Sequence, residues 1–132
     1  MSIERAEVLR RRARAFLRGA VMLIEVQEWD LAVFDLEQYC QLILKYRLFV
    51  ERGYYPATHS LRRLIKELSQ AHPELRGLIE DEMNLNYMAR LEEAYITARY
   101  SPYMYEEKEA LSLLNFVLKV FKPLVEGSEN DR

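Results

Sequence analysis

The sequence is poor in the residues that interrupt regular structure, with only four glycines and four prolines among 132 positions. So few breakers exclude a turn-rich all-β architecture, and a hydrophobic share of one half excludes a disordered chain. Long apolar runs are missing as well. The longest, Ala20-Val21-Met22-Leu23-Ile24, falls far short of the roughly 20 residues that span a bilayer, so no membrane association is expected. Arginines recur through the N-terminal segment and leave no uninterrupted apolar core of the kind a secretory signal needs, which makes the cytoplasm the expected location.

Cysteine is nearly absent too. Cys40 alone cannot form an internal disulfide, and between Tyr39 and Leu42 it reads as a small packed hydrophobe rather than a nucleophile. No glycine-rich phosphate loop exists, because Gly19, Gly53, Gly77 and Gly127 are scattered singly, and a P-loop or Rossmann site is thereby excluded. The two histidines, His59 and His72, stand 13 residues apart with no partner at metal-ligand spacing, so no metal is expected. The acid pairs Glu92-Glu93 and Glu106-Glu107 read as helix surface and first-turn residues, where the helix dipole favours them.

What the sequence has in quantity is helical periodicity. Leu9, Ala13, Phe16, Leu17, Ala20, Leu23 and Ile24 mark one face of a first helix, with Ser2 as its expected cap and an end near Gln27. Its other face is basic. Arg5, Arg10, Arg11, Arg12, Arg14 and Arg18 oppose only Glu4 and Glu7 in a chain of net charge −2, and this face is either solvated or a phosphate-binding surface.

A second helix is expected from an Asp30 cap to about Glu51. Fourteen of the 20 residues from Leu31 to Val50 are apolar or aromatic, which implies burial on more than one side, by the bundle and by a second copy of the chain. Its polar residues Glu37, Gln41 and Lys45 fall four apart and form a single stripe. Beyond the break at Gly53-Tyr54-Tyr55-Pro56, Thr58 is the expected cap of a third helix buried through Leu61, Leu64, Ile65 and Leu68. Pro73 suits the start of a short helix with Leu75, Leu78 and Ile79, which either stops or runs on into a fourth helix carrying Met88, Leu91, Ala94, Tyr95 and Ala98. Ser101-Pro102 ends that helix, and a fifth extends from about Glu106 to Val125. The expectation is a single all-α domain over residues 1–126, an up-and-down four-helix bundle with an additional short helix, followed by a polar tail at 127–132.

One stretch carries chemistry. In Tyr95-Ile-Thr-Ala-Arg99-Tyr100-Ser-Pro-Tyr103-Met-Tyr105 an arginine is surrounded by four tyrosines at a helix end. Arginine among aromatics can bind a phosphate and stack a base, or it can satisfy terminal helix carbonyls while the rings pack; both readings are open.

Taken in order, Phe16-Leu17-Arg18-Gly19-Ala20, Trp29-Asp30-Leu31-Ala32-Val33-Phe34, Glu37-Gln38, Leu44-Lys45, Thr58-His59-Ser60-Leu61 and Arg99-Tyr100 resemble the stations of the HEPN (higher eukaryotes and prokaryotes nucleotide-binding) family, over most of residues 10–122. The resemblance implies a homodimeric helical bundle of one of two kinds. The first is a non-catalytic module that associates with a minimal nucleotidyltransferase and binds a nucleotide, with ATP or GTP as candidates and no required cofactor. The second is a metal-independent endoribonuclease, the toxin of a toxin–antitoxin pair, that acts on RNA through an Arg-x(4–6)-His motif.

Arg99 matches the arginine of that motif, but Met104, Tyr105 and Glu106 occupy the positions where its histidine would fall. Tyrosine, with a pKa near roughly 10, moves protons poorly at neutral pH. The binding module is therefore the first expectation, with Arg99, Tyr100, Lys45, Gln41 and Glu37 as ligand contacts. A divergent nuclease using Arg99, Tyr105, His59 and Glu37 is the second. His59 reads either as a substitute base or as a packed residue at the start of the third helix.

Overall fold

The computed structural model describes residues 3–127, and all regular structure among them is helical. Helix α1 spans Ile3–Glu25 and α2 spans Trp29–Arg52. The short α3, Leu61–Leu68, is followed by a 3-10 turn at Pro73–Arg76 that leads into α4, Gly77–Glu80. After α5, Glu82–Tyr100, the chain enters α6, Glu107–Phe116, passes through one π turn at Val117–Phe121 and finishes in α7, Lys122–Glu126. The cap expected at Ser2 and the tail from 128 onward lie outside the described residues. No described helix is long and apolar enough to cross a membrane.

The helix signals act much as the sequence suggests, with some exchanges of role. Gly53 closes α2 in the left-handed conformation at φ 83°, and its N–H bonds the Phe49 carbonyl. Asp30 is not the cap of α2, which begins one residue earlier without a side-chain cap; its carboxylate instead accepts the Tyr105 backbone N–H at 2.7 Å. Ser60, rather than Thr58, caps α3 by accepting the Arg63 N–H at 3.2 Å, while Thr58 accepts that of Ser60. The question left open over residues 73–98 is answered by Asp81: its extended backbone (ψ 129°) ends α4, and its side chain caps α5 through the Asn84 N–H at 3.0 Å. The π turn precedes Pro123, whose ring cannot accommodate a regular turn against the carbonyl four residues back.

The core runs through the whole bundle and includes Tyr39, Leu44, Leu64, Leu91, Leu113 and Phe121. Helix α2 is its axis and packs against α1, α3, α5, α6 and α7. Eleven of its residues are buried within a single copy of the chain, Tyr39, Cys40 and Leu44 completely. Five neighbours in the same chain cover most of the apolar surface of α2, while Leu31 and Val50 stay 48% and 52% exposed and Phe34, Leu42 and Tyr46 are only partly buried.

Candidate functional site

The polar stripe of α2 faces α3 and α5 and is knitted into one network around Gln41. Glu37 is fully buried and Gln41 is 5% exposed, so each must find partners inside the protein. Gln41 donates from Nε2 to Glu37 Oε2 at 2.8 Å, and Gln38 donates to Glu37 Oε1 at 2.7 Å. The Gln41 carbonyl oxygen receives Lys45 Nζ at 3.0 Å and lies 3.2 Å from His59 Nδ1, which assigns the proton to that nitrogen. The His59 ring stacks on Tyr95 of α5 with centroids 4.2 Å apart.

Arg99 completes the group from the last turn of α5. Its guanidinium carbon lies 4.5 Å from the Tyr95 ring centre, 4.7 Å from Tyr100 and 4.8 Å from Phe34. Nε and Nη2 donate to the Tyr95 carbonyl at 2.8 and 2.6 Å, and Nη1 reaches the Tyr100 hydroxyl at 3.3 Å. The carbonyl-satisfying reading of this arginine is realised, and its guanidinium remains exposed, spread over aromatic faces. Lys45 likewise sits 5.5 Å from the Tyr55 ring centre.

Burial pushes the Glu37 carboxyl up to about 7, against the opposing pull of the Gln38 and Gln41 amides and of the Arg99 and Lys45 charges. Burial also lowers Lys45, with Glu37 acting in the opposite sense. A carboxyl that exchanges its proton near neutrality, a lysine, a histidine and an arginine thus share one face of the bundle.

Tyr105 does not join them. Its backbone is tied to Asp30, its ring meets Tyr103 edge-on at 5.0 Å, and it lines a separate recess with Arg90, Glu93, Thr97 and Glu109. Burial pushes its hydroxyl up to about 12. Of the three positions that could replace the motif histidine, Met104 is 75% exposed, Tyr105 is turned inward, and Glu106 is engaged in the capping box of α6. Sequence reasoning missed Phe34, Gln38 and Tyr55. Phe34 lies three residues before Glu37 on the same helix face, a spacing that could have found it, whereas nothing in the loop sequence points to Tyr55. Among the described residues no three His, Cys, Asp or Glu side chains are grouped closely enough to hold a metal ion.

The helical bundle and the ordered stations along it define the class. The profile of the HEPN domain matches residues 6–128, nearly the whole chain, and the protein belongs to that family. No curated protein and no solved structure matches it.

Proposed function

We propose that this protein is a non-catalytic HEPN module that binds a nucleotide at the Arg99 face and acts as a homodimer beside a minimal nucleotidyltransferase. The observation carrying the nucleotide reading is Arg99 itself. Its hydrogen bonds go to a carbonyl and a hydroxyl, so its charge is left for a phosphate, while the exposed Tyr100 ring offers a surface for a base. The loss of the motif histidine supports a binding rather than a cleaving role. The dimer reading draws on family membership and on the cluster of exposed apolar side chains about the end of α5, where Ile96, Tyr100 and Met104 are 54%, 71% and 75% exposed.

Calorimetric titration of the protein with ATP and GTP tests the nucleotide reading. Saturable binding is expected, weakened about tenfold or more in Arg99→Ala, as the loss of a charge-assisted contact implies. Binding that is absent, or unchanged in the variant, removes this reading. One observation favours the nuclease alternative: Glu37, whose carboxyl burial pushes up to about 7, and the His59 ring share Gln41. Labelled RNA incubated with metal chelated decides it, since the nuclease reading requires cleavage that disappears in Arg99→Ala.

A further inference from the structure

A second polar recess lies elsewhere in the bundle and takes no part in the network around Gln41. It is a cavity of about 430 Å³ between α1, α2, the 3-10 turn and α7, within the size range of small-molecule sites. Its polar walls include Arg10 and Arg14 of α1, Tyr46 and Arg47 of α2, His72 before the 3-10 turn, and Glu126 of α7. Arg47 is two residues from Lys45, about 200° around the helix, so the two cations serve different faces.

The three arginines are unequally neutralised. Arg14 Nη2 pairs with Glu126 Oε1 at 2.9 Å, and the second Glu126 oxygen accepts from the Tyr39 hydroxyl, so this carboxylate, 2% exposed, is occupied. Arg10 gives Nε and Nη2 to Glu7 Oε1 at 3.0 and 2.8 Å, which engages one edge of its guanidinium. Arg47, half-buried, bonds no carboxylate: Nη1 donates to the Val125 carbonyl and Nη2 lies 3.2 Å from His72 Nε2.

That imidazole nitrogen is also 2.7 Å from Glu51 Oε1 and cannot accept from Arg47 while donating to Glu51. Arg47 is thus a partly exposed cation on a polar recess with no carboxylate bonded to it, and its charge is left for an incoming anion. The guanidinium fork fits the oxygens of phosphate better than it fits a point charge. Glu74, the other lining carboxylate, is largely exposed and approaches His72 Nδ1 at 3.6 Å.

We propose that this recess binds a small phosphate-bearing ligand whose oxyanion sits against Arg47 and Arg10. The basic face of the first helix then has a defined task at one of its six arginines, Arg10. The inference is independent of the Arg99 site, and one experiment separates them.

The whole protein is titrated by calorimetry with inorganic pyrophosphate, ATP and sulfate at constant ionic strength. The same titrations are made on Arg47→Met, Arg10→Met and Arg99→Ala. Saturable pyrophosphate binding is expected, about tenfold weaker or more in each of the first two variants and unchanged in the third. Because Arg47 also holds the Val125 carbonyl, Arg10→Met carries the test should Arg47→Met fail to fold. The proposal is overturned by an absence of saturable binding, by binding that only Arg99→Ala weakens, or by sulfate binding as tightly as pyrophosphate with equal losses in all variants, which marks bulk electrostatics.

Discussion

Glu37 is fully enclosed between two glutamine amides, and its titration is coupled to the stability of the whole domain. An unfolded glutamate loses its proton at the ordinary carboxylate pKa, but the folded one retains it up to about 7. The folded state binds more protons in the interval between, so its stability is fully present below the unfolded pKa and declines as pH rises through 7. At about 1.4 kcal/mol per pKa unit, the decline from this residue is about 3 kcal/mol. Urea denaturation at pH 5 and pH 8 checks the expectation. Glu37→Gln should lose roughly 1 kcal/mol at pH 5, where one amide contact is mismatched, and should weaken less than the parent on going to pH 8, keeping only the part of the decline that Asp35, pushed up to about 6, contributes. An equal pH response in both proteins would remove the assignment.

At the scale of elements, the α1–α2 pair shows how far the sequence could be read. Apolar spacing located both helices, and the four-residue spacing of Glu37, Gln41 and Lys45 located the polar network, because such contacts lie within one helix and follow from its pitch. What spacing could not supply were partners brought in from elsewhere: Tyr95 against His59, and Asp30 diverted to the Tyr105 backbone. The same limit applies to the burial of α2: its apolar content predicts cover on more than one side, but no local pattern encodes which five neighbours in the chain supply it.

Gly19 gives this pair a test. A Cβ added there would stand 2.8 Å from Asp35 Oδ2, a carboxyl on α2 that burial pushes up to about 6. Replacing a mid-helix glycine with alanine ordinarily gains about 1 kcal/mol, and here displacement of Asp35 should cancel the gain. In an Asp35→Ala background the gain should return. A double-mutant cycle by thermal denaturation measures the difference, and additive effects would rule the contact out.

Across the whole molecule, closure depends on a contact between helices far apart in sequence. Glu126 joins α7 to α1 through Arg14 and to α2 through the Tyr39 hydroxyl, which burial and this carboxylate together push up. Glu126→Ala leaves that hydroxyl buried and unpartnered and removes the carboxylate that ties α7 to Arg14, and a loss of about 3 kcal/mol is expected.

The means of measuring it lies on the neighbouring residue. Cys40 is the chain's single cysteine, is wholly enclosed, and has its thiol pushed well above the ordinary range by burial, so in the closed bundle it is neither reachable nor ionised. A thiol reagent can therefore modify the protein only when the bundle opens, and the modification rate becomes a clock for that opening under native conditions. The parent should react slowly, with a rate set by its own fluctuations, while Glu126→Ala should react about a hundredfold faster, in proportion to its lost stability.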